Sequence, residues 1–224
     1  MDIHSDDYHD FVIKDGKILG EFEQMYRKVK NVPWHQNEQE GWIDINLAIN
    51  LLNKYGPFER ISDFGCGLGY FLDILKRHLG SARCRTFGYD ISPTCCSKGR
   101  RLFPDAKFFT LDLMQDLGRN YKKRKRVENT KELFAIRGTL WYVFPKIKNV
   151  VNNIASFMNT GDFLFISQNF PPLDKKFVGK EVIYNPESLT NWFTPFFAPL
   201  ETIFYQDMVS RGNDSWFMGV FSKK

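Results

Sequence analysis

The chain has 224 residues, of which 43% are hydrophobic and 25% charged, as expected for one globular domain with a single core. Its 31 basic and 26 acidic residues leave a net charge of +5, a small excess for a nucleic-acid-binding protein. No apolar run approaches the roughly 18 residues of a membrane span, and the opening MDIHSDDYHD is too acidic for a secretory signal. The four cysteines form no C-x-x-C pair, so we expect a reduced, cytoplasmic protein without a metal site.

The first predicted elements are two helices, over 21–29 and 41–55. Apolar residues recur at near-helical spacing in the second of them. Between the two helices lies the sequence PWHQ at 33–36, where proline interrupts a helix. We interpret 1–56 as a helical cap that belongs to the same domain as 57–224.

The remainder of the chain alternates strands and helices, a pattern typical of a parallel α/β sheet with helices on both faces. Strands are predicted over 60–64, 86–89, 107–111, 133–136, 163–167, 201–205 and 216–221, and helices over 70–78, 94–103, 147–158 and 186–193. Pro93 suits the first turn of the helix that follows the second of these strands.

A glycine-rich stretch, DFGCGLGY, follows the first strand of the predicted sheet. Gly65, Gly67 and Gly69 form G-x-G-x-G, and Asp63 precedes the first glycine by two residues. Because glycine lacks a Cβ atom, such a turn can approach a ligand closely. Asp90 ends the next strand about 20 residues later, where a carboxylate can accept hydrogen bonds from ribose hydroxyls. A dinucleotide-binding turn would need G-x-G-x-x-G, and its last glycine is missing here.

This combination resembles motif I of class I S-adenosylmethionine (SAM) methyltransferases, over about 58–224. The resemblance implies a Rossmann-like sheet of seven strands that closes with an antiparallel pair, and an N-terminal segment that covers the SAM site. It also implies that Asp63 positions the amino end of the methionine moiety, and that S-adenosylhomocysteine (SAH) is the product. The expected cofactor-binding residues are Asp63, Gly65, Cys66, Gly67, Gly69, Asp90, Ile91, Asp112, Leu113 and Arg137.

Two of these positions have a second interpretation. Asp112 follows the third strand, where the family places a carboxylate beside adenine, but an aspartate there could also cap a helix. Arg137 follows the fourth strand and could face the cofactor or an anionic acceptor, because its guanidinium fork suits phosphate and carboxylate.

The stretch RGTLWY at 137–142 occupies the place where methyltransferases of DNA or glutamine amino groups carry N-P-P-Y or D-P-P-Y. That motif is absent, which argues against a DNA amino-methyltransferase. The sequence NFPP at 169–172 has a different order and follows the fifth strand, and we interpret it as a rigid loop.

Methyl transfer needs alignment of the two reactants and, for a hydroxyl acceptor, a base. His35 lies between a tryptophan and a glutamine in the covering segment and is the predicted base, with Tyr142 as the alternative. A purely structural role is open for His35. Trp34, Gln36 and Trp141 are predicted to contact the substrate, although Trp141 could equally belong to the core.

A narrower resemblance rests on HDFVIKDGKILGEFEQMYRKVKNVPWHQ and RGTLWYVF. Both segments resemble small methyltransferases encoded among bacterial surface-polysaccharide genes, some of them linked to O-methyl phosphoramidate on capsules. The PW-containing segment is also similar to the sugar N-methyltransferase of Nod-factor synthesis. These resemblances imply a small polar acceptor. O-methylation is favoured over N-methylation because the amino-directed motif is absent and His35 offers a base, and we expect a monomer or homodimer.

The basic run at 122–126 would attract an anionic acceptor, although a solvated loop also explains it. Two alternatives stay open: an RNA methyltransferase that uses this run, and a SAM-binding regulatory subunit without turnover. The small charge excess disfavours a nucleic-acid partner.

Overall fold

The computed structural model describes residues 7–14, 17–115, 130–171, 173, 176–206 and 215–224. The N-terminal part consists of α1 (His9–Val12), β1 (Ile13–Lys14), β2 (Lys17–Ile18), α2 (Phe22–Lys28), a first 3₁₀ helix (Pro33–Gly41) and α3 (Ile43–Asn53). The two predicted helices are confirmed as α2 and α3. The short α1 and the antiparallel pair β1–β2 were not predicted, because elements of two to four residues carry too little periodicity.

A sheet of seven strands follows. Its strands are β3 (Phe58–Phe64), β4 (Gly80–Asp90), β5 (Lys107–Thr110), β6 (Glu132–Arg137), β7 (Phe163–Phe170), β8 (Phe197–Gln206) and β9 (Ser215–Lys223). The strand order is β5-β4-β3-β6-β7-β9-β8. Strands β3 to β7 pair in parallel, and β9 lies antiparallel to both β7 and β8. The predicted seven-stranded sheet with its closing antiparallel pair is confirmed.

In the described parts of the chain, four helices and a second 3₁₀ helix connect these strands. They are α4 (Tyr70–Leu79), α5 (Pro93–Leu102), the second 3₁₀ helix (Leu140–Lys146), α6 (Ile147–Phe157) and α7 (Pro186–Phe193). Pro93 occupies the first turn of α5, as predicted, and Ser92 caps that helix by accepting a hydrogen bond from the Cys95 N–H at 3.0 Å.

The interpretation of NFPP as a rigid loop is wrong for its first two residues. Asn169 and Phe170 belong to β7, where they pair with Trp216 and Ser215 of β9. The antiparallel partner extends the strand, and a distant partner of this kind leaves no signal in the local sequence. Pro172, like the basic run at 122–126, lies outside the described residues.

Alternation along the strands divides the core between the two faces of the sheet. Helices α6 and α7 cover one face, packing on Phe64, Phe134, Ile136, Leu164 and Ile166. Helices α3 and α4 cover the other face, packing on Ile61, Leu133, Ala135, Phe165 and Val220. Helix α3 of the N-terminal segment therefore shares a core cluster with the central strands.

This topology locates the site. The chain leaves β3 for β4 on one side and later returns to β6 on the other, so the crevice lies at the carboxyl ends of β3 and β6. Within the described ranges, no helix is both long and apolar enough to cross a bilayer.

Candidate functional site

The turn between β3 and α4 needs its glycines for both conformation and space. Gly65, Gly67 and Gly69 have φ angles of 69°, 55° and 96°, in the left-handed region that side chains disfavour. A Cβ atom on Gly65 would also collide with the Thr139 side chain, and one on Gly67 would lie 2.5 Å from the Gln36 amide. The glycine turn therefore packs between Thr139, which follows β6, and Gln36 of the N-terminal segment.

Asp90 fastens this turn from the end of β4. Its Oδ2 accepts a hydrogen bond from the Gly67 N–H at 3.0 Å, and its Oδ1 accepts one from the Ser92 N–H at 3.0 Å. Burial raises the pKa of Asp90 to about 6, against the lowering effect of the backbone hydrogen bonds it accepts. The next residue, Ile91, presents an apolar side chain that is 40% exposed.

Among the carboxyl groups of the site, Asp63 has the pKa that is shifted furthest from its ordinary value. It is 2% exposed, and its Oδ1 accepts no hydrogen bond from any residue that the structure describes. Burial raises the pKa of Asp63 to about 8, a rise that nearby Arg137 opposes and Asp90 reinforces. A buried carboxyl oxygen without a donor is costly, so this position suits a ligand that brings a cation or an N–H group.

The N-terminal segment lies directly on the glycine turn. Gln36 Oε1 accepts a hydrogen bond from the Leu68 N–H at 2.8 Å, and Gln36 Nε2 donates to the Tyr26 hydroxyl at 3.3 Å. The ring of Trp34 packs near those of Tyr26 and Tyr142, with centroids 6.4 and 6.3 Å away. The structure thus brings together three of the predicted residues, Trp34, Gln36 and Tyr142.

The two candidate bases differ in their surroundings. The His35 side chain is 64% exposed, and its Nδ1 lies 3.5 Å from Glu38 Oε2. Burial raises the pKa of Tyr142 to about 12, so its phenol is protonated at neutral pH and suits a hydrogen-bond donor better than a base. A role in catalysis stays a prediction for both.

Arg137 connects the end of β6 to the N-terminal segment. Its Nε donates to Asp44 Oδ2 at 2.9 Å, and its Nη1 donates to Gln39 Oε1 at 2.7 Å. The guanidinium carbon lies 5.4 and 5.2 Å from the ring centroids of Phe71 and Trp216. These hydrogen bonds join Arg137 to α3 and the first 3₁₀ helix, and its predicted contact with the cofactor stays a prediction.

The remaining predicted residues are Asp112, Leu113, Trp141 and Cys66. Asp112 Oδ1 accepts a hydrogen bond from the Met114 N–H at 2.8 Å within a turn, and no helix begins there in the described chain, which resumes only at residue 130. Leu113 is buried. Trp141 donates from Nε1 to Asn169 Oδ1 at 2.8 Å, and its half-buried ring packs against the larger core cluster. Cys66 is a buried free thiol within the turn.

Sequence reasoning missed several residues that shape the site. Thr139 lies against Gly65, and Glu23 accepts hydrogen bonds from the Thr94 N–H at 3.1 Å and from the Ser92 hydroxyl at 2.5 Å. These bonds dock α2 on the start of α5. The cap sequence around Ser92 was readable, but nothing local to Glu23 indicates a partner 69 residues away.

Among the described residues, no group of three or more His, Cys, Asp or Glu side chains is placed to hold a metal ion. The polar groups that the structure does gather at the crevice are the carboxylates of Asp63 and Asp90 and the backbone of the glycine turn.

Comparisons with known proteins identify the fold. No protein-family model and no curated protein matches the chain. Among solved structures, the chain is similar to the N-methyltransferase NodS from Bradyrhizobium japonicum WM9 in complex with SAH, with a TM-score of 0.64 and 14% identity, covering 90% of this chain and 97% of that one.

Two further structures show the range of proteins that share this fold. One is geranyl diphosphate methyltransferase in complex with SAM, with a TM-score of 0.59 and 12% identity, covering 96% of this chain and 95% of that one. The other is the [4+2]-cyclase SpnF, with a TM-score of 0.57 and 10% identity, covering 80% of each chain. The chain has the Rossmann-like fold of class I SAM-dependent methyltransferases. Because a [4+2]-cyclase shares this fold, the fold alone does not define the reaction, which depends on the residues of the site.

Proposed function

We propose that this protein is a SAM-dependent methyltransferase that acts on a small polar acceptor. The observation that carries the proposal is the buried Asp63 carboxyl, two residues before the glycine turn, whose Oδ1 accepts no hydrogen bond within the described chain. The ammonium group of the cofactor's methionine moiety would supply the missing donors. Neighbouring structures bound to SAM or SAH support the same cofactor.

Different residues of the chain would bind the amino end, the ribose and the adenine of the cofactor. Asp63 would hold the amino end, and the Asp90 carboxylate would accept from the ribose hydroxyls. The exposed side chain of Ile91 would cover one face of adenine, with Asp112 and Leu113 at its edge. When bound, SAM supplies a methyl group on a sulfonium, which is already activated for displacement.

The acceptor would enter beside Gly138, at the end of β6. A Cβ atom built on Gly138 would meet no other atom within 4 Å, so there is open space at this point of the crevice. Trp34, Gln36 and Trp141 would contact the acceptor from the covering segment and the second 3₁₀ helix. Such a covered site supports a small molecule over RNA.

The role of these residues would be mainly alignment, which can contribute several kcal/mol to methyl transfer. Tyr142, protonated at neutral pH, would orient the acceptor by donating a hydrogen bond. His35, whose side chain is 64% exposed, would take a proton from a hydroxyl acceptor.

The proposed acceptor is a precursor of a bacterial surface carbohydrate or phosphoramidate, methylated on oxygen in the cytoplasm. The resemblance of the opening segment and the missing amino-directed motif support this choice. N-methylation is the second candidate, because the similar structure NodS is an N-methyltransferase.

Calorimetric titration with SAH tests the cofactor site. We expect micromolar binding to the wild type, and loss of at least tenfold in affinity for both Asp63→Asn and Asp90→Ala. Asp105→Ala is the matched control, since the Asp105 side chain is 87% exposed and lies outside the site. Wild-type protein that binds no SAH would refute the proposal.

An acceptor screen then tests the reaction. Methyl-labelled SAM is offered with phosphorylated sugars, nucleotide-linked sugars, amino sugars and, in parallel, RNA. Transfer to a hydroxyl supports O-methylation, and transfer only to an amine selects the second candidate. Tight SAH binding without transfer to any acceptor would favour a regulatory SAM-binding subunit.

A further inference from the structure

The Gln36 side chain lies in the space that the glycine turn leaves open. Its amide would be 2.5 Å from a Cβ atom on Gly67, and its Oε1 accepts the Leu68 N–H at 2.8 Å. The Gly67 N–H is bound to Asp90. The amide of Gln36 therefore uses a backbone donor on the surface against which the methionine end of the cofactor would pack.

The backbone just before Gln36 is strained. Trp34 and His35 have φ angles of 53° and 50°, in the left-handed region where residues other than glycine are uncommon. Two successive residues keep this conformation only when the surrounding contacts impose it. Here the Trp34 carbonyl accepts from Gln39 Nε2 at 2.8 Å, and the Gln36 amide holds the other end.

The strained residues also connect to the cofactor site through the sheet. Gln39 Oε1 accepts from Arg137 Nη1 at 2.7 Å, and the Arg137 charge lowers the pKa of Asp63 against the effect of burial. The segment 33–41 is thus fastened to the glycine turn through Gln36 and to β6 through Gln39. Two further bonds hold it to neighbouring helices, from Arg77 Nη1 to Glu40 Oε1 at 2.6 Å and from Gln36 Nε2 to the Tyr26 hydroxyl at 3.3 Å. Release of the first fastening would relieve the strain at Trp34 and His35.

We infer that Gln36 is a latch on the cofactor site: its hydrogen bond to the Leu68 N–H keeps segment 33–41 closed and must break before the methionine end of the cofactor can enter. The inference rests on the proposed function. It makes Gln36 a positioning residue that controls cofactor entry, in addition to its predicted contact with the acceptor.

A latch and a direct cofactor contact predict different effects on the rates of SAH association and dissociation. A protein that is open only part of the time binds ligand with an affinity reduced by the open fraction. Loss of the bond to the Leu68 N–H alone would raise that fraction about 2- to 10-fold. Gln36→Ala also removes the 3.3 Å bond to the Tyr26 hydroxyl, so the rise should be at least this large. Because the latch bond is already broken in the complex, the dissociation rate should not change.

Stopped-flow fluorescence with SAH tests this inference on the full chain. For Gln36→Ala we expect the association rate constant to rise about 2- to 10-fold or more, the dissociation rate to stay constant, and the Kd to fall by the same factor as the association rate constant rises. For Gln36→Glu, whose carboxylate accepts the Leu68 N–H more strongly, we expect slower association. Asn37→Ala, an exposed neighbour in the same segment, should match the wild type.

Each outcome decides the question. Weaker SAH binding by Gln36→Ala at an unchanged association rate would overturn the latch and make Gln36 a contact of the cofactor. Association rate constants that are the same for Gln36→Ala and Gln36→Glu would also overturn the latch. Wild-type protein that does not bind SAH would instead reject the proposed function, so the two failures are distinguishable.

Discussion

Binding of SAH should depend on pH through Asp63. Burial raises the pKa of this carboxyl to about 8, so in the free protein it is protonated at pH 7. An ammonium group beside it stabilises the carboxylate form and lowers its pKa, so binding must release a proton. The affinity for SAH should therefore increase as the pH rises towards the pKa of the free carboxyl.

The magnitude follows from the ionised fraction. With a pKa of about 8, Asp63 is about 1% ionised at pH 6 and about half ionised at pH 8. If only the carboxylate binds the ammonium, SAH affinity rises about 50-fold over this interval, and binding at pH 7 releases about 0.9 proton. Asp90, with a pKa of about 6, adds about a further twofold.

The assay is calorimetric titration at several pH values, in pairs of buffers with different ionisation enthalpies. The buffer dependence of the measured heat gives the number of protons released. Asp63→Asn should bind SAH more weakly and retain only the twofold change that Asp90 contributes. A wild-type Kd that is constant between pH 6 and pH 8, with no buffer-dependent heat, would refute this reasoning.

Three further predictions concern stability, measured by chemical denaturation. Arg137→Met leaves the buried Asp44 carboxylate without its partner and should lower the free energy of unfolding by about 3–5 kcal/mol. Adding Asp44→Asn in a double variant should restore part of this loss. Partial burial acts to raise the pKa of Glu23, but hydrogen bonds from Ser92 and Thr94 and the ion pair with Arg27 lower it to about 2. The ionised Glu23 carboxylate therefore stabilises the fold above about pH 4.5, and this stabilisation is lost as the pH falls towards 2. Glu23→Gln should therefore cost about 1–2 kcal/mol at pH 7, discounted for a side chain that is 31% exposed, and should approach the wild type near pH 2. Gly65→Ala should cost more than Gly138→Ala by about 1–3 kcal/mol, because both positions have positive φ but only the first lacks room for a Cβ atom; equal losses would contradict the packing argument.

Much of the sheet was predictable because its signals are local. Buried strands in a parallel sheet are short apolar runs between turns and helices, and the predicted runs 133–136 and 163–167 fall within β6 and β7. The glycine turn was equally readable, since left-handed φ angles at Gly65, Gly67 and Gly69 demand that residue type.

Predictions were poorest where a strand or a site residue depends on a distant partner. Strand β7 continues through Asn169 and Phe170 because β9 pairs with it, whereas the sequence there resembles a loop. The hydrogen bonds of Arg137 with Asp44 and Gln39 likewise depend on distant partners and were not predicted, while its contact with the cofactor or acceptor stays a prediction.

The amino-acid sequence by itself determined the α/β class, the order of strands and helices along the chain, and the glycine turn with Asp63 and Asp90. Periodicity, glycine and strand-end carboxylates can do this because they act over a few residues. Only the tertiary structure decided what covers that turn. The contacts of Gln36 with Leu68, Glu23 with Ser92 and Arg137 with Asp44 span 32, 69 and 93 residues. Contacts over such separations form only when the whole core folds, so no local pattern can encode them.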